Sequence, residues 1–540
     1  MLVQFDLPTQ RADSAPVFAN ARACADWLES LPLTSSSTAQ AQLRAQVALL
    51  STSPLKPAVL AEILEQLREP VFFVQSEMAK KFAFHPLPLG DFETQAWNGT
   101  LELWRGYSLC WRICVQAVVG GELQGQAAQV CQRALDAHAH LMLDYVSACA
   151  ELPATEWQML HMLYRAAEQA GVAADRVRDK SLTETNATNC MATYARPILV
   201  ALGSPNEWGA RQTQMILRWT ERWATKIVIS HNPPAKPVKP PILVDLGAGE
   251  AGFRTDSAAR LDVAGANLRY LDISGVARSL KNRIILLRKG ETPASLGLGE
   301  DAVMPACELT LISLYQHWGD GRVGREQARR SVGGRVFVAG GVASVHYYVS
   351  GKPFKQPGHA KELTSQQRQE IATFGRLATR DQDEHSHLQG FTLEEWELGD
   401  ESLAGLRLIR AVGAGRMRVA VGQLVGARPP DARAYILGTI RWVQLRANGQ
   451  LMIGVKSLPG APQAVAARVT GVNAAQEKYQ QALLLPSVPA LKEVETLLVA
   501  PGTHKPGRVL ELQTEIQRQV RLEALLERGS DFERCTFVYL

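Results

Sequence analysis

Asp400-Glu401-Ser402-Leu403-Ala404-Gly405, running straight into the apolar Leu406-Arg407-Leu408, is the stretch on which the fold of this chain turns. An acid, a hydroxyl and a glycine within six residues are turn chemistry, because short polar side chains bond the backbone ahead of them. The glycine tolerates positive φ or a close backbone neighbour. Two strand-like segments follow in order, Gly438-Thr439-Ile440-Arg441-Trp442 and Leu451-Met452-Ile453-Gly454-Val455. Upstream stands Arg325-Glu326-Gln327-Ala328-Arg329, with Arg330 next and Arg322 and Arg335 close by. Taken singly, an R-x-x-x-R is common on solvated surfaces, and D-x-S-x-x-G also fits a simple Asx-turn into a strand.

Together and in this order, the two motifs and the strands behind them resemble the PilZ domain family over residues 322–460. The resemblance implies a six-stranded β-barrel and a receptor for cyclic di-GMP. It carries Arg325 and Arg329 over as ligand-gripping residues, with Arg330 in reserve, and Asp400, Ser402 and Gly405 as the facing turn. Arginine suits such a ligand, since a guanidinium pairs bidentately with guanine O6 and N7, grips a phosphate or stacks on a base, where lysine offers only a point charge. Asp400 would accept from guanine N1 and N2, and Ser402 would add a hydrogen bond. About 70 residues part Arg329 from Asp400, including a polar insertion at 351–390. Closing so long a loop costs little extra entropy.

Outward from this segment, 540 residues exceed one hydrophobic core. The expected class is α+β multidomain: a helical N-terminal domain followed by β-rich segments that include the PilZ-like barrel. Residues 1–230 read as all-helical, with Leu60, Ile63, Leu64 and Leu67 at helical spacing and Pro70 closing that segment. Residues 231–241 hold five prolines and read as a semi-rigid linker. Residues 242–320 read as a β-rich middle domain ending in a helix, with strands at Ile242 to Leu246, Leu268 to Ile273 and Ile284 to Leu287. Val342 to Tyr348 and Arg418 to Val421 read as further strands, and 461–540 as a small C-terminal β module. This plan is similar to that of long multidomain PilZ proteins of proteobacteria, in which the flanking parts carry the output to another protein. A protein partner is therefore expected through the helical domain.

Composition narrows the alternatives. A net charge of +5 over 540 residues is mild and lacks the concentrated basic stripe of a nucleic-acid binder. No apolar run reaches the ~18 residues of a membrane span, and no leader pattern opens the chain. Eight cysteines without C-x-x-C spacing suit a reduced, cytoplasmic setting. Cys110 and Cys114 share a helical face as core residues. His138 and His140, two apart, diverge on a helix, whereas His385 and His387 sit with Asp383 and Glu384 in the polar insertion as solvated charge. No metal or cofactor is expected, and no nucleophile–base motif suggests an enzyme. Leu243-Val244-Asp245-Leu246-Gly247-Ala248-Gly249-Glu250-Ala251-Gly252 resembles the first motif of S-adenosylmethionine-dependent methyltransferases, which makes that activity one alternative. A ligand-free scaffold is the other. The methyltransferase turn needs a following helix and a parallel sheet, and no alternating βαβ series follows it.

Overall fold

The computed structural model describes residues 3–182, 185–254, 267–320, 330–331, 333–357, 391–402, 404–470 and 477–540. Two compact units emerge, the first of Met1–His85 and Leu89–Arg325, the second of Glu326–Leu540 with Pro86–Pro88.

In the first unit, helices α1 (Ala21–Glu29), α2 (Ser36–Leu50), α3 (Pro57–Ala79), α4 (Asp91–Val119), α5 (Ala127–Ser147), α6 (Ala154–Gln169), α7 (Cys190–Leu202) and α8 (Ala210–Ala224) pack on one another. Helix α3 starts with Pro at its first turn, where a missing N–H is harmless. Leu60, Ile63, Leu64, Leu67, Val71, Val74 and Met78 form its buried stripe. The stripe continues beyond Pro70, and so does the helix, to Ala79. Tertiary packing on both sides of the proline outweighs the one hydrogen bond it removes.

The region is also not wholly helical. A short hairpin of β1 (Val177–Arg178) and β2 (Ala187–Thr188) interrupts it. Strand β3 (Val228–Ser230) joins a sheet ordered β3-β6-β4-β5 with β4 (Ile242–Asp245), β5 (Phe253–Arg254) and β6 (Leu268–Asp272). The proline-rich run 231–241 thus connects β3 to β4, the two strands that flank β6, and closes a loop inside one sheet. After it come α9 (Ser274–Arg288) and α10 (Ala306–Tyr315). Ile284 to Leu287, read as a strand, belong to α9. Their apolar run carries no period of its own, and Val276, Leu280 and Leu287 bury the helix at helical spacing.

The glycine-rich turn 247–252 is part of this sheet. It joins β4 to β5 as an antiparallel hairpin, with Leu243 opposite Phe253. All pairings in the sheet are antiparallel, which removes the parallel βαβ unit that the methyltransferase reading requires. Packing explains the glycines. A Cβ at Gly249 would come 2.7 Å from the Ala154 Cβ at the start of α6, and Gly252 has φ +105°.

The second unit holds two barrels. The expected six-stranded barrel consists of β8 (Arg335–Gly340), β9 (Leu393–Ser402), β10 (Gly405–Ala411), β11 (Leu424–Arg428), β12 (Ile436–Leu445) and β13 (Gln450–Leu458). The ring runs β8-β9-β10-β13-β12-β11 and back to β8, every pair antiparallel. A two-residue strand β7 (Arg330–Ser331) adds to β9 beyond β8. Along β9, Glu394, Trp396, Leu398 and Asp400 are buried while Glu395 and Glu397 are exposed, the two-residue period of a half-buried strand.

Helix α11 (Val342–Ser350) occupies the stretch read as a strand at Val342 to Tyr348. Its β-branched and aromatic residues favour a strand. Gly341 and Gly351, both at positive φ, turn the chain at either end, and Val345 and Tyr347 are buried. Arg418 to Val421 form no strand either, since the chain turns at Gly422, φ +83°. The C-terminal module is a closed six-stranded barrel of β14 (Gln463–Val469), β15 (Gln480–Leu485), β16 (Thr496–Val499), β17 (Val509–Gln513), β18 (Gln517–Arg528) and β19 (Glu533–Tyr539), ordered β14-β15-β16-β19-β18-β17. Strand β15 is buried on both faces. Ala482 and Leu484 enter the interior of this barrel, while Leu483 and Leu485 join Val345, Leu424, Leu437 and Leu458 in a core shared with the first barrel.

Candidate functional site

The D-x-S-x-x-G stretch is the reversal between β9 and β10. Ser402 lies opposite Gly405, and the Ser402 hydroxyl donates to the Gly405 carbonyl at 3.4 Å. Glycine is required at 405 by its neighbour rather than by its dihedral angle. A Cβ there would sit 2.1 Å from the Val455 carbonyl oxygen of β13. The turn is thus clamped onto the adjacent strand.

Asp400 faces Arg407 across the hairpin, and its Oδ2 lies 2.8 Å from Arg407 Nε. The register slips by one residue just beyond, so that Leu408 pairs with Leu398 and Gly399 is the extra residue. Such a bulge re-aims the side chains next to it. A Cβ on Gly399 would meet Arg407 Nε and Ile409 Cδ1, both at 3.0 Å, so glycine leaves the room that the Asp400–Arg407 pair uses. Asp400 is 9% exposed.

Strand β7 adds the end of the arginine run. Arg330 lies opposite Glu401, Ser331 lies opposite Asp400, and Arg330 is exposed. Arg325 and Arg329 lie outside the described residues, as do most of the 351–390 insertion and its His385 and His387. The pairing brings together Arg330, Asp400, Ser402 and Gly405, and adds Arg407, which motif reading passed over. Its signal was a lone arginine between Leu406 and Leu408, two residues past the turn glycine, where hairpin pairing sets it against the acid of the motif. Lys456, exposed on β13 opposite Gly405, adds another positive charge nearby.

Farther along the barrel, Arg410 (4% exposed) pairs with Glu394, and its guanidinium carbon is 4.8 Å from the Trp396 ring centroid. Glu394 also accepts from the Met417 amide at 2.6 Å. Burial pulls the Arg410 guanidinium below its ordinary value, against the opposing pull of Glu394. This buried pair ties β9 to β10, although Arg410 Nε has no hydrogen-bond partner among the described residues.

In the helical unit, Cys110 and Cys114 are buried thiols, the latter pushed up to about 12 by burial. His138 bonds the Glu156 carbonyl while His140 stacks on Trp104, so the two rings diverge.

A helical region, a six-stranded barrel with an acid-bearing turn and a second six-stranded barrel define an α+β multidomain class of chain. Residues 22–235 match the family model described as the N-terminal domain of the cyclic-di-GMP receptor FimW, and residues 465–540 match the FimW C-terminal beta-barrel domain. Both terminal parts of the chain are thus similar to FimW domains. It is 21% identical over 554 residues to the protein named "Cyclic-di-GMP receptor FimW" of Pseudomonas aeruginosa (strain ATCC 15692), an alignment spanning 94% of this chain and 89% of that one. The turn at 400–405 lies outside both matched segments.

Proposed function

We propose that this chain is a cyclic di-GMP receptor whose first barrel is a PilZ domain and binds the ligand between the 325–330 arginines and the 400–405 turn. The observation that carries the reading is the pairing of β7 with β9, in which Arg330 lies opposite Glu401 and Ser331 opposite Asp400. An arginine segment that ends beside a carboxylate-bearing turn can close over a ligand with two phosphates and two guanines. Arg325 and Arg329 grip phosphate or guanine, with Arg330 as the alternative in the same run. Asp400 accepts from guanine N1 and N2, and Arg407 holds that carboxylate in position. Ser402 and Gly405 keep the turn tight. The similarity to a protein named as a cyclic-di-GMP receptor supports the same reading.

The helical region relays ligand binding to a protein partner in the cytoplasm. Among the described residues no helix is long and apolar enough to cross a membrane. The chain acts by binding and does not catalyse a reaction. Titration calorimetry with cyclic di-GMP tests the site. Wild type is expected to bind, and Arg329→Ala and Asp400→Ala to bind at least about tenfold more weakly, the loss of one charge-assisted contact each. Equal binding by wild type and both variants removes this site.

A further inference from the structure

A cavity of 1190 Å³ opens in the first unit, bounded by α3, the start of α5 and the chain from Arg176 to Ser181. Its chemistry is sorted by element. The β1 side presents Arg176, Arg178 and Lys180, all exposed, alternating with buried Val177 and Asp179. Helix α3 presents Phe73, 45% exposed, although a solvated aromatic ring costs hydrophobic free energy.

Between them lies Arg68, only 5% exposed. Its Nη2 donates to Asp136 and Asp179 at 2.7 Å each, and its guanidinium carbon stands 4.3 Å from the Phe72 ring centroid. Its Nη1 has no hydrogen-bond partner among the described residues. A buried charged donor left without an acceptor is costly, and its residue is among those that line the cavity, although Nη1 itself is shielded from solvent. Helix α5 begins at the same wall without a side-chain cap, so its N-terminal end adds partial positive charge. The lining carries five cations, the four named plus Arg133, against three acids, Glu65, Glu69 and Asp179, which leaves two positive charges in excess.

We propose that this cavity is a second ligand site, separate from the barrel, and that it takes a purine nucleotide. The phosphate meets the start of α5 and the exposed basic side of β1, within the field of the buried Arg68. The base stacks on Phe73, whose ring is free where that of Phe72 is covered by Arg68. Glu69, exposed on α3 at the cavity wall, accepts from the exocyclic donors of the base.

Calorimetry on the full chain with 5′-GMP and, separately, inorganic pyrophosphate tests this. Wild type and Asp400→Ala are expected to bind 5′-GMP equally. The double variant Arg176→Glu/Arg178→Glu should bind it at least tenfold more weakly. Phe73→Ala should weaken 5′-GMP but leave the feebler pyrophosphate binding unchanged. All the substituted cavity residues are exposed, and an unaltered thermal melt checks that each variant is folded. Two results would overturn the proposal: no 5′-GMP binding by wild type, or binding that Asp400→Ala abolishes and the double variant retains. Because cyclic di-GMP binding by the barrel is measured apart, the two sites can fail independently.

Discussion

Asp144 lies deep in the helical unit, where it accepts a hydrogen bond from Trp104 Nε1 at 2.8 Å. Burial pushes its carboxyl up to about 7, against the opposing pulls of Trp104 and His140. In the unfolded chain the same group ionises near 4. The folded state therefore keeps a proton that the unfolded state releases between those values. The stability linked to that proton is complete below about pH 4 and is lost as pH rises through about 7. His161 has the opposite sign. Burial draws it down to about 4, so its contribution is present above about pH 6.5 and is lost as pH falls through 4. Comparing wild type with Asp144→Asn isolates the carboxyl. The stability of wild type relative to that variant should fall by up to about 4 kcal/mol from pH 4 to pH 7. Denaturation profiles of the two that run parallel across this range would refute it. At the same scale, the chain reversal at Asp400, Ser402 and Gly405 was legible because turn chemistry is local. Arg407 was not, because its partner across the hairpin depends on a bulge at Gly399 that spacing does not announce.

Elements divide along a similar line. The helices α3 to α8 could be read because each carries its own apolar period. Strand β14 was missed, since Gln463-Ala464-Val465-Ala466-Ala467 offers small side chains and little β propensity, and only pairing with β15 and β17 makes it a strand. Strand β11 was missed as well, and α11 was misread because its composition argues for a strand while two glycines and its packing decide for a helix. That packing makes α11 a hinge point of stability. Val345 is fully buried against strands of both barrels. Val345→Ala should cost about 2 kcal/mol, from lost methyl burial plus the cavity left behind. Amide exchange should speed up together in β12 of the first barrel and β15 of the second. Acceleration in one barrel alone would mean that the two do not share a core.

At the scale of the whole molecule, a compact unit with its own core is a cooperative one. Two units predict two heat-absorption peaks in a calorimetric scan. Cyclic di-GMP at about 100 times its dissociation constant should stabilise the unit that binds it by about 2.7 kcal/mol. Only the peak of the barrel-bearing unit should move. A shift confined to the helical unit would put the ligand elsewhere. The order of the parts along the chain could be read from changes in period and from the prolines. What the prolines do could not, because the pairing of β3 with β6 spans more than the linker itself.

That pairing bears on where the chain can be cut. The proline-rich run looks like a natural border for a fragment, and the matched N-terminal domain ends at 235, inside it. Yet a fragment ending there keeps Val228–Ser230 and loses Tyr270–Asp272, the residues with which they pair. It also strands Glu168 without Arg269, whose guanidinium it holds at 2.6 Å. Such a piece would expose an unsatisfied strand edge and a carboxylate deprived of its arginine, a surface primed for self-association. The border suggested by sequence composition is therefore a seam inside a folded body, and a fragment that keeps this sheet whole has to run on past β6.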